Sequence, residues 1–249
     1  MPPDDVHSLL VHSIFDVLAW AAAALASLWL VRSGRARFPV EPARRWSYFA
    51  ALVGGAAAGA NAFGTLNLAF SGVPGVARSI EGGLAGGIAA VEAYKRLAGI
   101  RARTGARFAL PLAVGIMVGR VGCFLSGLPD FTYGTPTALP WGHDFGDGVW
   151  RHPVQLYESL AMAGFAAAYL LAIARGSRSI AANGFYLFVG FYGVQRFAWE
   201  FMKPYGAVAG PFTLFHLLSA ALALYAAAML ASAEPETPIE RPRRDALSP

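Results

Sequence analysis

The chain is poor in charge. Of its 249 residues only 14% are Asp, Glu, Lys or Arg, while 56% are hydrophobic. A soluble domain carries about 25% charged residues, so much of this surface meets something other than water. Cysteine is almost absent: Cys123 stands alone, which excludes an internal disulfide and leaves thiol pairing silent about compartment. The first eight residues hold Asp4 and Asp5 but no Lys or Arg. A cleavable leader wants a basic start, so the first apolar stretch reads as a retained helix. The five histidines fall into no metal-ligand spacing, and neither a metal nor an organic cofactor is expected. No internal repeat is visible.

What the chain has is apolar residues in membrane-length blocks. A spanning helix needs about 20 mostly apolar residues. Candidate spans lie at 9–31, 47–70, 79–98, 108–128, 154–174, 184–202 and 211–231, the third being the least apolar. The expected fold class is all-α, a polytopic membrane protein of about seven transmembrane helices. Basic residues test that count independently, because Lys and Arg collect in cytoplasmic loops. Fifteen of the 20 fall after the first, third and fifth spans and in the tail (Arg32, Arg103 and Arg243 among them). The opposite side holds only Arg78, Arg151 and Lys203, and Arg120 and Arg196 lie inside spans. One alternation fits every loop, with the amino end outside and the carboxyl end cytoplasmic. It also accounts for the net charge of +5 without nucleic acid. A single transmembrane domain over 1–233 is expected, with a disordered cytoplasmic tail over 234–249 and a structured outer loop at about 129–153.

The polar residues within the spans share one depth. Arg120 lies about 18 Å along a helix starting near Phe108, in its outer half, and Arg196 lies at a similar depth in the sixth span. Glu81, Asn61, Asn67, His12, Asp16 and His216 fall on the same side, and His152, Gln155, Tyr157 and Glu158 open the fifth span there. The inner halves are apolar or glycine. This describes a polar cavity closed toward the cytoplasm and open toward the outer leaflet. Tyr192, Arg196 and Glu200 share a helix face at i, i+4 and i+8. Arg120 has no partner on its own helix, and an unpaired guanidinium in a membrane needs an anion. A phosphate suits its planar donor fork, so two arginines at this depth point to a phospholipid headgroup. The alternative is that Glu81, Glu158 and Glu200 neutralise both. The glycines of the third span (Gly82, Gly83, Gly86, Gly87) and fourth span (Gly115, Gly119, Gly122) suit close helix packing, or backbone access to a ligand. Cys123 suits packing too, on the same face as Arg120.

Several segments together resemble one family. GRVGCFLSG (Gly119–Gly127), the Tyr133–Gly134 pair, HPVQLYE (His152–Glu158), GFYGVQRFAWE (Gly190–Glu200) and EGGLAGG (Glu81–Gly87) are similar, in order, to the signature regions of bacterial prolipoprotein diacylglyceryl transferases. The resemblance implies transfer of a diacylglyceryl group from phosphatidylglycerol to a prolipoprotein cysteine thiol, at the outer leaflet of the inner membrane. It implies membrane lipid and prolipoprotein as partners and no cofactor. Arg120 and Arg196 match the family's two essential arginines, with Glu200 beside them as a catalytic candidate. Glu81, Gly82, Gly83, Cys123, Gly134, His152, Gln155, Tyr157, Glu158 and Tyr192 are the substrate-binding candidates. The chain departs from the family pattern at Glu81, where the family carries histidine, and at Cys123, where it carries asparagine. Asp130 is the nearest match to a family acidic residue, and Trp20 lies near the place of a missing tyrosine. These departures keep two other readings in view: a divergent outer-leaflet, phospholipid-dependent transferase with another acceptor, and a non-catalytic lipid-binding or lipid-moving membrane protein.

Overall fold

The computed structural model describes residues 3–35 and 38–232. The tail expected at 234–249 lies outside the described residues. Among those described, seven α-helices carry the architecture: α1 (Pro3–Arg32), α2 (Arg45–Phe70), α3 (Ile80–Leu97), α4 (Ala109–Ser126), α5 (Val154–Ala174), α6 (Arg178–Glu200) and α7 (Leu214–Ala231). Each coincides with an expected span, although α1 starts six residues earlier, at Pro3 rather than 9, and so does α6, at Arg178 rather than 184. Ser177 caps it there, its hydroxyl accepting from the Ile180 amide. The fold is that of an all-α polytopic membrane protein. Five of the helices are long and apolar enough by composition to cross a membrane; α3 and α6 fall short. The reason is chemical, since these two carry Glu81, Glu92, Lys95, Arg196 and Glu200.

Local chemistry sets the helix ends. Ser79 caps α3 by accepting from the Gly82 amide at 3.1 Å. At the other end Gly99, at φ +69°, lets the Ile100 amide reach back to the Lys95 carbonyl at 2.8 Å. A residue with a Cβ pays a steric cost in that left-handed turn. Thr213 and His216 form a reciprocal capping box at the start of α7.

The helices lie in the spatial order α1, α4, α5, α6, α7, α3, α2, and neighbours run antiparallel except α7 and α3, which run parallel, Ser219 meeting Glu81 and Tyr225 meeting Glu92. Buried Leu110, Ala113, Met162, Phe188 and Leu222 join α4 through α7 into the main apolar core. The outward face is apolar as well: Trp20 is 79% exposed and Leu160 and Leu224 are 71% exposed. Such a surface fits hydrocarbon rather than water. Glycine lets α2 and α3 meet backbone to backbone. A Cβ on Gly82 would lie 2.5 Å from the Gly59 carbonyl oxygen and 2.7 Å from Phe63 Cβ. The packing reading of this segment therefore describes what Gly82 does.

Two short antiparallel hairpins were not anticipated from the sequence. One, β1 (His143–Asp144) with β2 (Trp150–Arg151), lies in the long loop between α4 and α5. The other, β3 (Ala207–Ala209) with β4 (Phe212–Thr213), links α6 to α7. Strands of two or three residues leave no periodic trace in a sequence. The first hairpin is closed by Asp144, whose carboxylate accepts from the amides of Gly146, Asp147 and Gly148 at 2.8–3.1 Å. Arg151 then clasps Asp147 through both terminal nitrogens, at 2.7 and 2.8 Å. That clasp holds the exposed Asp147 carboxyl below the usual aspartate range, helped by the Val149 amide.

Two outcomes follow from this packing. Gly82→Leu forces α2 and α3 apart and costs about 1–3 kcal/mol of stability, read as an earlier melting transition in detergent micelles. Because the folded-state pKa of Asp147 is depressed, its contribution is complete above the ordinary aspartate value. It is lost as pH falls through the lower folded value. Carbonyl-detected NMR should place the Asp147 titration below the usual range, and Arg151→Ala should bring it back up.

Candidate active site

At the end of the bundle where α1, α3, α5 and α7 begin and α2, α4 and α6 end, six charged side chains converge. Arg196 of α6 spends all three guanidinium nitrogens on carboxylates: Nε on Glu81 at 3.2 Å, one terminal nitrogen on Glu158 at 3.0 Å and the other on Glu200 at 2.9 Å. Arg120 of α4 pairs with the second oxygen of Glu158. Lys203, just beyond α6, reaches Glu158 at 3.2 Å and the Thr132 carbonyl at 2.6 Å. Three cations and three anions thus form one buried network. Around it, Ser219 donates to Glu81 and Thr213 to Glu200, each at 2.6 Å.

Helix geometry explains the convergence. Tyr192, Arg196, Glu200 and Lys203 follow i, i+4, i+8 and i+11 along one side of α6 and its extension. Gln155 and Glu158 stand three apart on α5. Glu158 is 1% exposed and is the meeting point of three cations. An ion cluster can remain in so dry a place only when each charge is matched.

The expected open cavity is corrected. Arg120 and Arg196 are 6% and 3% exposed, and carboxylates of the same chain fill the space between them. Arg120 is not without a partner either; the partner lies on α5, which no inspection of its own helix could reveal. Of the two readings of the arginines, neutralisation by Glu81, Glu158 and Glu200 describes this arrangement. The network still leaves donors and acceptors unspent. Tyr192 Oη, both amide atoms of Gln155 and of Gln195, Trp199 Nε1 and His216 Nε2 are buried without a hydrogen-bond partner among the described residues. Native interiors leave few such groups, and here they flank an ion cluster.

The other candidates divide into separate groups. His152, in the loop, and Tyr157, in the first turn of α5, form one: Tyr157 Oη lies 3.3 Å from His152 Nδ1 and accepts from the loop's Trp141 Nε1 at 2.8 Å. Gly134 donates to the His152 carbonyl at 3.0 Å, in a place where a Cβ would strike the His152 side chain. Gly82 and Gly83 face α2. Asn61 is exposed and bonds the Ala57 carbonyl of its own helix at 2.8 Å. Cys123 lies 3.9 Å from an Arg120 terminal nitrogen and 4.0 Å from His12 Nε2, at the margin of the network.

Sequence reasoning missed Lys203, Thr213 and Ser219. Lys203 had been assigned to an outer loop, yet it is 5% exposed. Its i+7 offset from Arg196 was the available clue. Thr213 and Ser219 carry no charge and gave none.

A helical bundle with buried arginines on two helices, bridged by a carboxylate on a third, defines a polytopic membrane protein with a buried ion network at one end. The family model described as prolipoprotein diacylglyceryl transferase matches residues 8–232, and the chain belongs to that family. Among curated relatives, the phosphatidylglycerol–prolipoprotein diacylglyceryl transferase of Geobacter sulfurreducens is 39% identical over 148 residues, which cover 57% of this chain and 55% of the relative. Proteins of the same name from Methylococcus capsulatus and Solidesulfovibrio magneticus are each 36% identical, over 62% and 64% of this chain and 61% and 62% of their own. The chain thus matches between 55% and 62% of the length of these relatives.

Removing the shared carboxylate tests the network. Glu158→Ala leaves buried cations short of a counter-charge and should cost about 3–5 kcal/mol. Glu41→Ala, which breaks an exposed pair with Arg44, should cost less than about 1 kcal/mol. Unfolding titrations of both variants in micelles give the comparison; equal losses would contradict the description of a desolvated network.

Proposed function

We propose that this protein transfers a diacylglyceryl group from phosphatidylglycerol to the cysteine thiol of a prolipoprotein, at the outer leaflet of the bacterial inner membrane. In this reading all seven helices cross the membrane, the amino end lies outside, and residues 1–233 act as one domain.

One observation carries the proposal: the two family arginines meet at a single buried carboxylate, ringed by unspent polar groups. The carboxylates occupy the place that a lipid phosphate takes when substrate binds. The exchange is least costly at Arg120. Its ion pair is with Glu158 alone, and Glu158 keeps Arg196 and Lys203 when Arg120 turns away. Arg196, held by three carboxylates, stays as a fixed positive wall. Gln155 and Tyr192 supply hydrogen bonds to the glycerol and phosphate oxygens.

The reaction is a displacement at carbon. The acceptor sulfur attacks the glyceryl carbon, the C–O bond to phosphate breaks, and glycerol phosphate leaves with the electron pair. Charge grows on the leaving phosphate, where prearranged guanidinium donors lower the barrier most. Glu200 holds Arg196 in line. Glu81 is committed to Arg196 and Ser219, so its part is to orient that arginine.

Arg120→Ala and Arg196→Ala should each reduce transfer by about 100-fold or more. The readout is thioether formation from labelled phosphatidylglycerol and a cysteine-containing acceptor peptide, alongside complementation of a strain depleted of its own transferase. Lipid bound without any thioether product would favour a lipid-binding protein. Product formed on an acceptor other than a thiol would favour the divergent transferase.

A further inference from the structure

A second cluster lies beside Arg120, and the arginine network does not account for it. His12 of α1, Cys123 at the end of α4 and Asp130 just beyond α4 present ligand atoms all within 4.8 Å of one another. His12 Nε2 stands 3.0 Å from Asp130 Oδ1 and 4.0 Å from Cys123 Sγ. His12 Nδ1 is held by Asp16 at 3.3 Å. Histidine spacing along the chain could not show this, because the three groups come from positions 12, 123 and 130.

We propose that His12, Cys123 and Asp130 form a zinc site whose open fourth position receives the acceptor thiol. The proposal rests on the transferase reading above and names the means by which that reaction obtains its thiolate.

Three features carry it. The first is the donor set. One imidazole nitrogen, one sulfur and one carboxylate oxygen suit zinc, whereas magnesium and calcium want oxygen alone. Three protein ligands with a vacant position are the pattern of catalytic zinc. Bonds of about 2.0–2.3 Å in a tetrahedron place ligand atoms about 3.3–3.7 Å apart. The observed 3.0 and 4.0 Å from His12 bracket that separation, and with all three atoms within 4.8 Å of one another the ligands need only draw closer around the ion.

The second is support around the ligands. A metal-binding histidine commonly gives its other nitrogen to a carboxylate, which fixes the ring; Asp16 does so here. Asp130 also accepts a hydrogen bond from Thr132. An Arg120 N–H faces the Cys123 sulfur.

The third is charge. The arginine network balances three cations with three carboxylates, so it has none to spare. Asp16, Asp130 and the thiol face one histidine, which makes the cluster a place for a cation. Asp130 and Cys123 are buried, while the His12 side chain is 39% exposed and opens the site to an incoming group.

The chemistry answers a need of the proposed reaction. A thiol is a poor nucleophile and its thiolate a good one. Glu81 replaces the family histidine and is occupied by Arg196. A thiol bound to zinc gives up its proton outright. The proton passes to solvent, the bound sulfur attacks the glyceryl carbon, and the C–S bond forms as the C–O bond to phosphate breaks. The released phosphomonoester takes up a proton from solvent, so the step is balanced without redox.

The test uses the full chain in detergent micelles, stripped with chelator and titrated with cobalt(II), a coloured substitute for zinc. One equivalent should bind, with a sulfur-to-cobalt charge-transfer band and the strong visible absorption of tetrahedral cobalt. Cys123→Ser should lose the sulfur band, and His12→Ala and Asp130→Asn should weaken binding at least about tenfold. A cysteine-containing acceptor peptide, added without lipid, should roughly double the sulfur band as a second thiolate joins the metal. A wild-type spectrum lacking the sulfur band, or one unchanged by the peptide, overturns the proposal. Thioether formation that persists after complete chelation overturns the role in activation. The transferase reading stands or falls separately. If the peptide shifts the cobalt spectrum but no metal state yields thioether, the site is supported and the reaction is not.

Discussion

The carboxylate of Glu158 is the constraint on which the rest of this structure depends. It is shared by Arg120 from α4, Arg196 from α6 and Lys203 from the segment beyond α6, and it is itself carried by α5. Every one of those charges is too costly to leave alone in a low-dielectric interior. The order of helices at this end of the bundle is therefore set by electrostatic matching, whereas the apolar core of α4 to α7 is filled by packing. Glu81 extends the same logic to α3 and Ser219 to α7. Five helices are fastened by one connected set of ion pairs and hydrogen bonds.

In the proposed reaction the network supplies the anion site, in a place with little opening. A neutral cluster in which one carboxylate serves three cations can release one of them without stranding the others. The asymmetry between Arg120, with a single carboxylate, and Arg196, with three, separates a mobile donor from a fixed one. A bundle in which each arginine had its own private glutamate would lack that division. Both arginines lie within residues 8–232, the stretch that matches the prolipoprotein diacylglyceryl transferase family.

The helices were legible in the sequence because hydrocarbon imposes a length and a composition that few soluble segments share. Even the two helices that fall short on apolarity, α3 and α6, stand out as membrane-length stretches, and the alternation of basic residues between loops supports the count. The arginines were legible as unusual charges, but their partners were not. Glu158 lies 38 positions from both Arg120 and Arg196, and nothing local marks that distance as contact. The same limit hid the meeting of His12 with Cys123 and Asp130, which depends on α1 packing antiparallel to α4 through small residues such as Ala19, Ala23, Gly115 and Gly119. Lys203 lies in the loop where the sequence places it, but its burial was not legible for a different reason: a lysine past a helix end ordinarily seeks water, and only the buried carboxylate overrides that preference.

Lys203 ties the ion network to the loop before the first hairpin, since one ammonium group holds both Glu158 and the Thr132 carbonyl. Thr132 lies in the loop that leads from Asp130 toward the first hairpin. In the proposed reaction a redistribution of charge in the site is felt in this loop through the lysine, with no helix having to slide. The filling of the proposed phosphate position and the posture of the loop then become two readings of one electrostatic balance.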